Sequence, residues 1–188
     1  MQFAKYRTFK DSQSGNHADL GLVILKEQQV LEKLTVTERN TINTAIKNHN
    51  KRQISRSVSR DDLMYCRLIR DADKLDILEI IVNYYESPES APHAAYEDYT
   101  KNNSYSLKMI DAILNGEPIS YADVQTTTEM KLVRMSWVLD MTYPYSFQVV
   151  ENKAFIDRIA ATMQQTKDIQ RVYNYVKQYL DKKLDTPR

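Results

Sequence analysis

The chain has 188 residues, a formal net charge of +1 and 42% hydrophobic residues, as expected for one ordinary globular domain with a real core. Its only glycines, Gly15, Gly21 and Gly116, exclude both a GxGxxG dinucleotide fingerprint and a GxxxxGK phosphate loop. Without a long basic block or a long apolar run, neither a nucleic-acid polymer nor a membrane is expected as a partner. The single cysteine, Cys66, and the lack of a secretory signal favour a cytoplasmic location.

Apolar residues recur at helical spacing along most of the chain, and no segment alternates as a strand would. The predicted fold is therefore all-α, a multi-helix bundle forming a single domain over residues 1–188. The first long helix is predicted at about 16–34, with Ser14 or Asn16 as its cap. Thr35-x-x-Glu38 has the spacing of a capping box and predicts a second helix that ends near Asn50.

The polar segment 51–60 predicts a loop, and Ser59-x-x-Asp62 then caps a longer helix that runs to about Tyr85. The apolar spacing in this helix predicts a buried stripe that includes Cys66, Ile69, Ile77 and Ile80.

Residues 86–104 contain two prolines and many small polar residues, so they predict a surface loop. Helical spacing resumes at Leu107 and stops at Asn115-Gly116, where Gly116 suits the left-handed position after a helix. Further helices are predicted at 128–141, which Pro144 would end, and at about 146–163 and 167–182. The inward residues of these helices are predicted to be Met135, Val138, Ile169, Val172, Tyr173, Val176 and Leu180.

Three metal-competent side chains fall on apolar helix faces. His17 heads the stripe of Leu20 and Ile24, His49 completes the face of the second helix, and Asp73 lies on the stripe of the third. A buried aspartate is costly unless it is paired, hydrogen-bonded or bound to metal. One interpretation is an internal ion network in which Arg70, Lys74 or a neighbouring helix neutralises Asp73. The other is a divalent-metal or phosphate site made of His and Asp from facing helices.

The remaining candidates favour structural interpretations. Cys66 lies on a buried face with no catalytic partner, which predicts packing rather than nucleophilic chemistry. His93, beside Pro92 in the polar loop, is expected to be solvated, although a loop histidine can reach over a pocket. Asp19 points away from the apolar stripe of its helix and is expected to be solvated.

The motifs around these residues resemble those of the HD-domain superfamily, all-α metal-dependent phosphohydrolases. NHADLG, which contains His17, looks like the family's later His element. AIKNHN, with His49, is similar to its I-x-x-H helix, and RDADKL, with Asp73, is similar to its A-D-x-L segment. The core motifs span 14–80, and the C-terminal helices at 105–182 extend the resemblance to an uncharacterised bacterial branch through LIRDADKLDIL and KLVRMSWVLDMTYPYSF.

One departure from the family pattern bears on activity. The family's first His and its His-Asp pair should precede the segment RTF, yet this chain has no histidine before His17. Of the four usual metal-binding residues only Asp73 is present. We therefore expect either an N-terminally incomplete chain or a natural relative in which hydrolysis is impaired or lost.

The resemblance implies roles for the remaining residues. Asp73 would be a metal ligand, and His17 and His49 would bind a second metal or the substrate phosphate. The side chains expected to orient the site or contact phosphate are Arg70, Lys74 and Asp76.

The cofactor implied by the resemblance is a divalent metal, namely Mn, Co, Ni, Mg, Fe or Zn, weakly bound or absent in this chain. The expected function is hydrolysis of a small phosphorylated, nucleotide-like substrate. An incomplete helical core would expose an apolar patch, so a homo-oligomer is expected. The alternative is a non-enzymatic helical module for ligand binding or oligomerisation.

Overall fold

A computed structural model gives the fold of residues 2–7, 11–90, 99–100 and 102–186. The all-α prediction is confirmed, because over these residues the regular structure is helical apart from one isolated bridge between Thr100 and Thr126. The helices are α1 (Gln2–Tyr6), α2 (Asp11–Ser14), α3 (His17–Glu27), α4 (Val36–His49), α5 (Arg60–Glu86), α6 (Leu107–Leu114), α7 (Thr127–Ser136), α8 (Pro144–Asn152), α9 (Phe155–Ala161) and α10 (Lys167–Leu184), with 3-10 turns at Pro88–Ser90, Tyr121–Asp123 and Trp137–Asp140.

The described residues form two compact units, one within Met1–Asp73 and the other within Lys74–Arg188. The boundary falls inside α5. That the chain is a single domain stays a prediction, and each unit is described below by itself. Within the described part of the chain, no helix combines the length and the apolar character that a membrane span requires.

In the first unit, α3 packs against α4, and both predicted N-terminal caps are confirmed. The side chain of Asn16 accepts hydrogen bonds from the backbone N–H groups of Ala18 and Asp19. Thr35 and Glu38 form the reciprocal capping box that opens α4. The predicted end of α3 is wrong: the helix stops at Glu27 instead of 34, because the backbone turns through a left-handed residue, Gln29 (φ +56°).

Helix α5 begins as predicted, with Ser59 Oγ accepting a hydrogen bond from the backbone N–H of Asp62 at 3.1 Å. Its predicted buried stripe is partly wrong. Ile80 is 46% exposed, whereas Leu78 is fully buried. The buried face passes instead through four residues spaced four apart, namely Cys66, Arg70, Lys74 and Leu78. The two basic side chains can be buried there because their charged ends have hydrogen-bond or ion-pair partners.

In the second unit, Gly116 follows the end of α6 at φ +68°, as predicted. Pro144 does not end the preceding helix, which closes in the 3-10 turn at Trp137–Asp140. It occupies the first position of α8, where its fixed φ favours the helix and its missing N–H costs nothing. The single helix predicted at 146–163 is two helices, because Ala154 takes a left-handed conformation between them (φ +49°).

The core of the second unit is apolar, and α10 contributes one continuous face to it. The predicted inward residues of α10 are confirmed apart from Tyr173, which is partly buried. The predicted burial of Met135 and Val138 is confirmed too. The other large, fully buried side chains of this unit include Leu132, Phe155, Ile156 and Ile159.

Candidate metal centre

Three helices of the first unit bring His17, His49 and Asp73 together. His17 is the first residue of α3, His49 is the last residue of α4, and Asp73 lies within α5. The Nε2 atoms of the two histidines are 2.9 Å apart, and His49 Nε2 is 3.9 Å from Asp73 Oδ1. All three candidate ligand atoms lie within 4.8 Å of one another. Residues 17, 49 and 73 of the sequence thus form one cluster.

The other ring nitrogen of each histidine contacts an atom that can only accept a hydrogen bond. His17 Nδ1 lies 2.9 Å from both carboxylate oxygens of Asp11, and His49 Nδ1 lies 2.7 Å from the carbonyl oxygen of Ile46. Each Nδ1 therefore carries the proton and donates it. In the neutral rings, both Nε2 atoms are then left with lone pairs that face one another.

Two facing lone pairs at 2.9 Å repel unless a cation lies between or beside them. That cation is either a proton, which makes one ring an imidazolium donor, or a metal ion. The carboxylates of Asp11 and Asp73 supply negative charge on either side of the pair. The arrangement is thus a site for positive charge, built before any ion binds.

The donor set fits a transition-metal ion. Two nitrogens each about 2.0–2.1 Å from a tetrahedral zinc ion would lie about 3.3 Å apart, close to the spacing of the histidines. Two imidazoles and one carboxylate suit Zn and the neighbouring divalent metals better than Mg, which prefers oxygen ligands. Three protein ligands leave coordination positions for water or substrate, as in catalytic rather than structural sites.

The cluster is open to solvent on one side. The side chain of His49 is 9% exposed, whereas those of His17 and Asp73 are 39% and 33% exposed. His49 therefore forms the inner wall, and a ligand can reach the centre past the other two residues.

Asp11 and Asn50 are the residues that sequence reasoning missed. Asp11 also accepts a hydrogen bond from the backbone N–H of His17 at 3.2 Å, so it holds both the ring and the start of α3. Asn50 Nδ2 donates to Asp11 Oδ2 at 3.3 Å and to Asn16 Oδ1 at 3.0 Å. A carboxylate that receives the second N–H of a histidine orients the ring, which is the usual support for a metal-binding histidine.

The basic residues and the second carboxylate expected beside the centre have other surroundings. The guanidinium of Arg70 donates to backbone carbonyls at the end of α4 and after it. In the second unit, the ammonium of Lys74 pairs with the carboxylate of Asp140. Asp76 is exposed and is not a member of the cluster. Whether an ion network or a bound metal balances the charge of Asp73 stays a prediction.

The other sequence candidates are placed as follows. Asp19 is exposed, as expected. Cys66 is buried, with its thiol 3.8 Å from the carbonyl oxygen of Thr44, and burial raises the pKa of that thiol. A raised pKa leaves little thiolate near neutral pH, in agreement with a packing role. His93 lies outside the described residues.

Comparison with known proteins gives no family assignment: no protein-family model, no curated protein and no solved structure matches this chain.

Proposed function

We propose that the chain is a divalent-metal-dependent phosphohydrolase of the HD type, acting on a small phosphorylated, nucleotide-like substrate, with hydrolysis impaired because the family's His-Asp pair is absent. The observation that carries the proposal is the convergence of His17, His49 and Asp73, with both histidines fixed so that their Nε2 lone pairs point into one site. All three candidate ligands belong to this chain. Because the His-Asp pair of the resembled family is absent, these three residues alone would hold the metal.

When bound, a divalent cation polarises a phosphate oxygen and makes water a stronger nucleophile at neutral pH. The residues of the chain hold and shape that centre. His17 and His49 bind through Nε2, Asp73 binds through a carboxylate oxygen, and Asp11 keeps the ring of His17 in its binding tautomer. The exposed side of the cluster gives a phosphate ester access to the metal.

The proposal includes the remaining sequence-based expectations. The metal is Mn, Co, Ni, Fe or Zn rather than Mg, since two of the three donors are imidazoles. With only three protein ligands, the ion exchanges readily. The cytoplasm, where Cys66 stays reduced, is the proposed location, and a homo-oligomer is the proposed assembly.

The second candidate function is a non-enzymatic helical module. Its supporting observation is a set of apolar side chains on the first half of α5, where Met64, Tyr65 and Leu68 are 51%, 45% and 53% exposed. An exposed apolar group of this kind is typical of a surface that meets another protein. This reading predicts self-association that is independent of the metal.

The test combines metal binding with hydrolysis. The purified chain is stripped of metal and titrated with Mn²⁺, Co²⁺, Ni²⁺ and Zn²⁺, and phosphate release is then measured on a panel of phosphate esters. We expect one bound ion per chain and metal-dependent phosphate release, both abolished in His49→Ala and Asp73→Asn. Asp19→Asn changes an exposed side chain in the first turn of α3 that is not a member of the cluster, and as the control it should behave as the wild type.

Stoichiometric binding without phosphate release on any ester would reject hydrolysis and leave a metal-binding module. Absence of binding, together with a metal-independent oligomer by light scattering, would favour the second function.

A further inference from the structure

Arg70 lies three residues before Asp73 on α5, and its position is unusual for a phosphate-binding residue. It is 9% exposed, and its guanidinium points to backbone rather than to solvent. Nη1 donates to the carbonyl oxygen of His49 at 3.1 Å and also to that of Lys51, and Nη2 donates to that of Arg52 at 3.1 Å. The planar guanidinium of Arg70 thus binds three backbone carbonyl oxygens.

One of these carbonyls, that of His49, belongs to the last turn of α4, and the other two belong to the segment that follows it. The last carbonyls of an α-helix lack intrahelical donors, and α4 ends at His49. The C-terminal end of a helix also carries a partial negative charge, which a cation stabilises. Arginine is suited to this task, because its donors diverge in a fixed plane and it stays charged when buried.

Arg70 and Asp73 lie one turn apart on α5, so they lie on neighbouring parts of its surface. Helix α5 therefore contacts the same residue twice: Arg70 binds the backbone of His49, and Asp73 faces its ring at 3.9 Å. Fixing the backbone of His49 relative to α5 also fixes the distance between two of the three ligand atoms.

The geometry assigns Arg70 as a positioning residue for His49, a role that rests on the proposed function of the cluster. It touches neither metal nor substrate. It holds the end of α4 so that the imidazole keeps Nδ1 on the carbonyl of Ile46 and directs Nε2 toward His17 and Asp73.

The experiment compares Arg70→Met, Arg70→Lys and the matched control Arg67→Met, which alters an exposed arginine one turn earlier on α5. Co²⁺ affinity and the visible absorption spectrum of the Co²⁺-loaded chain are measured for each. We expect Arg70→Met to weaken binding about 10–100-fold and to change the spectrum, the range typical for residues that support a metal ligand. Arg70→Lys, which keeps the charge without the fork, should lie between, and Arg67→Met should match the wild type.

A second readout uses the metal-free chain. Two-dimensional ¹H–¹⁵N spectra of the imidazoles report which ring nitrogen of His49 carries the proton. The wild type should keep the proton on Nδ1, whereas Arg70→Met should give a mixture of tautomers. If the wild type binds no Co²⁺, the proposed function fails while this spectrum still decides the role of Arg70.

The inference is overturned if Arg70→Met folds, binds Co²⁺ as the wild type does and leaves the His49 tautomer unchanged. If Arg70→Met does not fold, Arg70→Lys decides: wild-type affinity and an unaltered His49 pattern in that variant would equally overturn it.

Discussion

The two compact units bury apolar and polar side chains in different proportions. The interior of the second unit is made mostly of large apolar residues, of which Phe155 and Met135 are at most 1% exposed. Its buried polar or charged residues are a minority, namely Lys74, Thr126, Thr128, Glu129 and Ser146. In the first unit, the buried apolar residues among those described are small: Ala18, Ala45 and Cys66. The other buried side chains of this unit are polar or charged, namely Asn48, Arg70 and Asp71.

This difference separates two ways of holding helices together. Apolar burial stabilises in proportion to area and needs no particular geometry, at about 25 cal/mol per Å². A buried polar group stabilises only when it meets its partner, and it costs free energy when the partner is removed. The second unit is thus a robust scaffold, whereas the first is a polar frame whose stability depends on specific contacts and, by our proposal, on a cation.

The largest expected effect is on the apolar core. Phe155→Ala should lower the free energy of unfolding by about 3–5 kcal/mol, because it empties a fully buried site. In the first unit, Leu25→Ala removes a side chain that is only half-buried and should cost roughly half as much. Chemical denaturation measures both losses of stability. Tyr145→Ala, which removes a side chain that is 72% exposed, is the control. Equal losses of stability from the two substitutions would contradict the proposed difference between the two units.

The next largest expected effect is on metal binding in the first unit. Asp11→Asn keeps the size of the side chain but removes the charge that orients His17. We expect a loss of metal affinity of about 10–100-fold, with a smaller loss of stability in the metal-free chain. Calorimetric titration with Zn²⁺ checks the affinity. Wild-type affinity in Asp11→Asn would mean that the carboxylate has no part in the centre.

The capping boxes of α4 and α7 allow a matched test in which the expected loss of stability is smaller. Thr35 opens α4 at an exposed site, whereas Thr126 opens α7 at a buried one, where Glu129 also accepts backbone N–H groups from Ser106 and Gln125. Removing a cap costs about 0.5–2 kcal/mol. We expect Thr126→Ala near the upper end of that range and Thr35→Ala near the lower end in thermal unfolding. The reverse order would contradict the burial argument.

The sequence was sufficient to predict the regular helices, but not the points at which the backbone leaves them. Long helices with regular apolar faces could be predicted, including the faces that carry His17, His49 and Asp73. The end of α3 could not, because Leu31 continues the helical spacing although the backbone has already turned. The break at Ala154 likewise leaves no signal, since alanine is the best helix former and only the fold imposes its left-handed conformation.

The supporting residues of the site were harder to predict than its candidate ligands. Asp11 lies in a four-residue helix, too short to show a period. Arg70 binds carbonyl oxygens, which every residue has, so no sequence pattern marks its partners. Lys74 pairs with Asp140, 66 residues away, and nothing local links the two. Contacts of this kind depend on tertiary structure alone.

The smallest expected effect is the pH dependence of a surface ion pair in the second unit. Hydrogen bonding to Arg158 lowers the pKa of Glu86 below its usual 4.5. A carboxyl with a lowered folded-state pKa stabilises the fold above the unfolded value and loses that contribution as pH falls through the folded one. Glu86→Gln should therefore cost about 0.5 kcal/mol at pH 7 and less at pH 2. Thermal unfolding at both pH values checks this, and an equal loss at both would exclude the ion pair as its cause.

The central claim is that His17, His49 and Asp73 bind one divalent metal ion. The most direct measurement is anomalous diffraction at the cobalt edge from crystals of the chain soaked in Co²⁺. Our account predicts one peak within bonding distance of both Nε2 atoms and of a carboxylate oxygen of Asp73. A cobalt ion bound elsewhere, with the two histidines still hydrogen-bonded to each other, would contradict it.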